Sequence, residues 1–162
     1  MSEKLEILMS EEEANKYLNS FKEKMGYKDI SSIIKQTSDN KRNNDINNNA
    51  EEDQEELKKS KIIRSKLIEG IRIGIILFDE ESKGITQKLL YPYDYNGIKV
   101  TELCFFKKLK LKDIKNITQG KEADVLIKNI ATMTNEKQEK IEELDTNDFD
   151  YTSSIYAFLQ KK

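Results

Sequence analysis

The chain has 162 residues, 36% of them apolar and 36% charged, with a mean hydropathy of -0.76 and a formal net charge of -2. That composition allows one domain of ordinary size plus a tail, with a lean core and part of the chain left unpacked. It lacks the surplus of Lys and Arg on which holding DNA or an anionic membrane depends.

Histidine is absent and Cys104 is the only cysteine. Histidine-based acid–base catalysis, most zinc, haem and iron–sulfur sites and an intramolecular disulfide are therefore excluded, and a reducing, cytosolic setting fits. Lysine outnumbers arginine 25 to 3, which reads as the codon bias of an AT-rich genome. The start MSEKLEILMSEEE has no signal-peptide pattern. The longest apolar run, Ile71 to Phe78, is broken by Arg72 and Gly74 and is too short to span a bilayer.

In chain order, Ser10 with Glu13 forms a capping-box signature ahead of a helix with Ala14, Tyr17, Leu18, Phe21 and Met25 on its apolar face and Gly26 as its stop. A short second helix is expected over Asp29 to Gln36, so residues 1–36 read as a mobile helical arm. Residues 37–54 are rich in Asn and acids, with Ile46 as their single large apolar residue, and read as a disordered linker. The α+β domain is expected over 55–162. It opens on a helix with Leu57, Ile63 and Leu67 on one face. Residues 71–78 fit two periods. Ile71, Ile73, Ile75 and Leu77 alternate as in a strand, while Ile63, Leu67, Ile71, Ile75 and Phe78 continue a helical stripe; β-branching favours the strand, with a turn over 79–84.

Asn96-Gly97 between two extended runs predicts a type I′ hairpin. The implied rungs are Tyr95–Ile98, Asp94–Lys99, Tyr93–Val100, Pro92–Thr101, Tyr91–Glu102 and Leu90–Leu103, with Pro92 tolerable only on an edge. Both strands change their apolar side near Thr101-Glu102. Either a bulge sits there or the ribbon buries its two faces in succession, and the simultaneous switch favours the second. Lys110 to Ile117 reads as a short helix or turn broken by Gly120, and three helical stretches follow it. One has Ala123, Leu126, Ile127, Ile130 and Met133 on its apolar face; a brief one, capped by Thr134-Asn135, carries Ile141 and Leu144; the last, capped by Thr146, has Phe149, Ile155, Tyr156, Phe158 and Leu159 as inner residues. A small antiparallel hairpin-based sheet followed by a C-terminal helical bundle is the expected fold.

Few residues point to chemistry. The acidic runs read as solvated faces, and the segment from Asp145 to Asp150 lacks the central Gly and closing Glu of an EF-hand loop, so it reads as a helix N-terminus. Cys104 reads as a structural thiol. Lys107, Lys108, Lys110 and Lys112 lie beside aromatics and could touch nucleic acid, or simply protect a strand end. Tyr91, Tyr93 and Tyr95 share one face, which either packs under a helix or forms a recognition patch.

Pro92, Gly97, Val100, Leu103, Lys107-Lys108 and Asp113-Ile114, then Thr134, Leu144-Asp145, Asp148-Phe149 and Phe158-Leu159, form an ordered series. In its order and spacing, the segment 85–160 resembles the small tail assembly chaperones of contractile-tailed bacteriophages. Leu109 stands where that family usually has a proline, and residues 1 to about 70 have no counterpart in it. The resemblance implies a binding protein of the host bacterial cytoplasm, with no enzymatic activity, cofactor or metal. It would coat the tape measure protein and keep it soluble until the tail tube polymerises. The tail tube protein and further copies of this chain are secondary partners, with no role for membrane or nucleic acid. The family is often made in two lengths by ribosomal frameshifting. The candidate partner-binding residues are Tyr91, Tyr93, Tyr95, Phe105, Phe106, Ile155, Phe158 and Leu159. The alternative is a regulatory or nucleic-acid-associated module using Lys107 to Lys112.

Overall fold

The computed structural model describes residues 6–25, 50–79, 81, 84–106 and 122–160. In chain order they form α1 (Glu11–Met25), α2 (Ala50–Arg72), β1 (Ile76–Asp79), β2 (Gly84–Tyr95), β3 (Ile98–Phe105), α3 (Glu122–Thr134), α4 (Gln138–Glu142) and α5 (Thr146–Gln160). The strands make one antiparallel sheet in the order β1-β2-β3, and the helices pack against it, so the α+β architecture is as expected. The expected helix at 29–36, most of the expected linker, the segment carrying Lys107 to Lys112 and the expected short helix or turn at 110–117 lie outside the described residues.

Local chemistry starts α1 where the sequence says it should. Glu13 N–H donates to Ser10 Oγ at 3.2 Å, and Glu13 Oε2 accepts from Ser10 N–H at 2.9 Å, completing the capping box. The bond from the Ser10 backbone, with that from its hydroxyl, holds the Glu13 carboxyl below its ordinary pKa. The helix is docked, which corrects the reading of it as a mobile arm. Ala14, Leu18 and Phe21 are buried in the same core as the sheet, and the Phe21 ring stacks on Phe78 with centroids 4.0 Å apart. Tyr17 adds a polar lock. Its hydroxyl donates to Phe78 O at 3.4 Å and accepts from Phe78 N–H at 3.3 Å, satisfying the outward-facing backbone of edge strand β1.

The ambiguous apolar run divides in two. Through Arg72 it is helix, and only from Ile76 is it strand, so a strand over the whole of 71–78 is corrected. Gly74, at φ 77°, is the reason. Gly74 N–H donates to Ile71 O at 3.1 Å and Ile75 N–H to Gly70 O at 3.0 Å, the paired bonds of a glycine-terminated helix. At its other end α2 begins at Ala50, inside the stretch expected as linker up to 54. Gly70 lies where α2 packs closely against β1 and α5: a Cβ there would fall 2.4 Å from Ile76 Cδ1 and 3.2 Å from Tyr151 Cδ1.

The C-terminal helices also differ at their caps. Thr134 ends α3, with its hydroxyl donating to Ile130 O at 2.8 Å, and Asn135 turns left-handed at φ 55°. The N-cap of α4 is Lys137, without a side-chain bond, and that of α5 is Asp145, whose Oδ1 accepts Asn147 N–H at 2.8 Å. Neither Thr134-Asn135 nor Thr146 is the cap. Asp145 wins because an ionised carboxylate at a helix start also gains from the helix dipole. Ala123 is exposed, while Ile130, Met133, Ile141 and Ile155 reach the core as expected. Tyr151 joins α5 to α2. Its hydroxyl donates to Glu69 Oε1 at 2.8 Å, and burial, then Glu69, pushes its pKa well above the ordinary tyrosine value.

Gly70→Ala should overpack the α2–β1 crossing and cost about 1–3 kcal/mol of stability, read by denaturant unfolding with an unchanged slope. A neutral or stabilising effect, as at an exposed helical glycine, would contradict the close crossing.

Candidate functional site

The hairpin β2–β3 carries four of the eight candidate residues, and a fifth, Phe106, directly follows it. Its tip follows the sequence: Asn96 and Gly97 have φ of 51° and 77°, and Tyr95–Ile98, Asp94–Lys99 and Tyr93–Val100 are paired. Beyond Tyr93 the expected rungs fail. Lys88 faces Glu102 and Gln87 faces Leu103, so the four residues Leu89 to Pro92 lie opposite the single residue Thr101. The pairings Pro92–Thr101, Tyr91–Glu102 and Leu90–Leu103 are corrected, and the bulge is the right one of the two readings. Three extra residues are an odd number, so the pairing parity changes across the bulge, as the shift of apolar side in the sequence requires.

A carboxylate from the last helix sets this bulge. Asp148, with 0% of its surface exposed, accepts Leu90 N–H at 2.7 Å and Tyr91 N–H at 2.9 Å, one on each oxygen. Pro92 follows with no N–H to satisfy. Gln87, also 0% exposed, points inward between Ile85 and Leu89, and its amide donates to Asp148 O at 2.9 Å. The Thr152 hydroxyl completes the cluster, 2.7 Å from Gln87 Oε1 and 2.9 Å from Asp148 O. Burial is the larger influence on the Asp148 carboxyl and raises its pKa, against the lowering effect of the Leu90 and Tyr91 amides.

The tyrosine face therefore divides. The Tyr93 hydroxyl donates to Lys140 O on α4, and burial, followed by Glu136, pushes its pKa up to about 12. Tyr95 is half-buried beside it. Tyr91, on the bulge held by Asp148, is 54% exposed. Of the remaining candidates, Phe106 is 64% exposed, while Phe105, Ile155, Phe158 and Leu159 are buried in the core. The residues proposed as one partner surface thus separate into an exposed pair, Tyr91 and Phe106, and six that pack wholly or partly inside. Ile98 at the hairpin tip is a further exposed apolar side chain that the sequence reading left out. Between the tip and α4 lies a cavity of about 240 Å³, lined by Tyr95, Ile98, Val100, Lys137 and Lys140.

Asp148, Gln87 and Thr152 were not singled out as a unit. The available signal was Gln87, a polar residue at an inward strand position, together with two strand amides left without a partner by the change of side. Cys104 is half-buried, with Sγ 3.8 Å from Thr86 Oγ1. Among the described residues, no cluster of three or more His, Cys, Asp or Glu is placed to hold a metal ion, and no helix is long and apolar enough to cross a membrane. No protein-family model, curated protein or solved structure matches the chain.

Asp148→Asn should destabilise the protein by about 1–3 kcal/mol, because one of the two strand amides then meets an NH2 group instead of an acceptor. An Asp148→Asn variant as stable as the wild type would contradict the acceptor role of both carboxylate oxygens.

Proposed function

We propose that the protein is a tail assembly chaperone of a contractile-tailed phage, acting in the host bacterial cytoplasm to keep the tape measure protein soluble. What carries this reading is the ordered series from Pro92 to Leu159 that resembles that family. Most of the described positions in the series do structural work here. Gly97 makes the turn, Pro92 sits in the bulge, Val100, Leu103, Phe158 and Leu159 fill the core, and Asp148 binds the bulge. The likeness therefore concerns the residues that shape a fold, and the binding surface is sought among exposed neighbours.

Tyr91 and Phe106, with Ile98, are the exposed apolar side chains of the hairpin region suited to covering apolar helix faces of the partner. Coverage of such faces lowers the free concentration of an aggregation-prone chain, and many modest contacts permit later release. In this reading the protein is a binder without enzymatic activity, and the tail tube protein or a second copy can share the assembly. The alternative nucleic-acid reading draws on Lys107 to Lys112, outside the described residues, and no described feature favours it.

Co-expression with a candidate tape measure protein should raise the soluble fraction of that protein and yield a co-purifying complex. Tyr91→Ala with Phe106→Ala should weaken the complex while changing stability by less than about 1 kcal/mol, as for exposed positions. No gain in solubility and no complex, or salt-dependent RNA or DNA binding in its place, would refute the proposal.

A further inference from the structure

A second surface lies away from the hairpin, between α1 and α2. Lys61, Arg64, Ser65, Ile68 and Arg72 fall at helical spacing on one stripe of α2 and, with Glu11 and Asn15 of α1, line a cavity of about 320 Å³. Two of the chain's three arginines are here, in a sequence that otherwise uses lysine. Among the described residues, both guanidinium groups are tethered only by neutral oxygens. Arg64 Nη2 donates to Asn15 Oδ1 at 2.8 Å and Asn19 Oδ1 at 3.0 Å, and Arg72 Nε donates to Met9 O at 3.4 Å. Among the described residues neither arginine, nor Lys61, has a carboxylate within ion-pair distance, whereas Glu69 of the same cavity is already met by Lys66 and Tyr151. The remaining guanidinium donors are thus held in place without a matching anion, an arrangement suited to planar carboxylate recognition.

We infer that this groove binds an acidic polypeptide segment. From Lys61 to Arg72 the stripe runs about 16 Å at 1.5 Å per residue, the reach of about five extended residues, too long for one phosphate to bridge. The chain's net charge of -2 disfavours nucleic acid, whose binding depends on surplus positive charge. Glu11 within the lining disfavours a uniform polyphosphate and accommodates the backbone N–H donors of a peptide. The inference is independent of the chaperone reading, because it uses a different surface and a different chemistry.

The test titrates the isotope-labelled full chain with blocked hexaglutamate at low salt, following amide shifts, with hexalysine and a six-nucleotide oligothymidine as comparators. Shifts confined to residues 11–19 and 61–72, abolished by added salt, are expected for hexaglutamate alone. Lys61→Glu, at an exposed side chain, should weaken binding several-fold with an unchanged melting temperature. Adding Arg64→Gln and Arg72→Gln should bring the loss to tenfold or more, and if that triple variant does not fold, Lys61→Glu decides. Absence of hexaglutamate shifts, shifts unaffected by Lys61→Glu, or oligothymidine binding the same residues as tightly would each overturn the inference.

Discussion

One carboxylate holds the sheet and the last helix in a single arrangement. Asp148, in the first turn of α5, takes both unpaired amides of the β2 bulge, at Leu90 and Tyr91. Without an acceptor at that depth, the extra residues opposite Thr101 would leave buried N–H groups unsatisfied, and the strand would gain by reverting to a regular ladder. The same helical turn anchors Gln87 through the Asp148 carbonyl, so the inward polar residue of β2 and the bulge are fixed by neighbouring atoms of one residue. Desolvating a carboxylate is costly, and the short bonds from two backbone amides and the start of a helix offset part of that cost.

The consequences spread along the chain. The bulge changes pairing parity, which lets Tyr93 pair with Val100 near the tip while Ile85 and Gln87 pair with Phe105 and Leu103 further down. It also leaves Tyr91 outward as Tyr93 bonds to α4. At the opposite edge of the sheet, α1 plays the covering role: the Tyr17 hydroxyl closes the backbone of β1, and Phe21 lies on Phe78. Edge protection by a docked helix lowers the hazard of strand-to-strand aggregation, a useful property in a protein proposed to handle aggregation-prone partners.

What was legible in the sequence was local. Ser10 with Glu13, and Asn96-Gly97, specify their structures within four residues, and both appear as expected. The 71–78 run was misread because its period fits both helix and strand; the deciding residue was Gly74, whose left-handed backbone ends the helix. The lower rungs of the hairpin failed for a different reason. Their register depends on Asp148, 58 residues from Leu90, and no local pattern reveals an acceptor so distant in sequence. The partner surface was the least legible. An apolar stripe such as Ile155, Phe158 and Leu159 reads the same whether it meets a partner or its own core, and here it meets the core.

The arrangement of sheet and last helix turns on the two amides held by Asp148, and site-resolved hydrogen exchange observes them directly. In the native protein Leu90 and Tyr91 N–H should exchange as slowly as the regular rungs of β2, although neither is paired across the sheet. In Asp148→Ala they should become fast while the amides of Tyr93 and Tyr95 at the paired hairpin tip keep their protection. Fast exchange of Leu90 and Tyr91 in the native protein, or protection that survives loss of the Asp148 carboxylate, would contradict it.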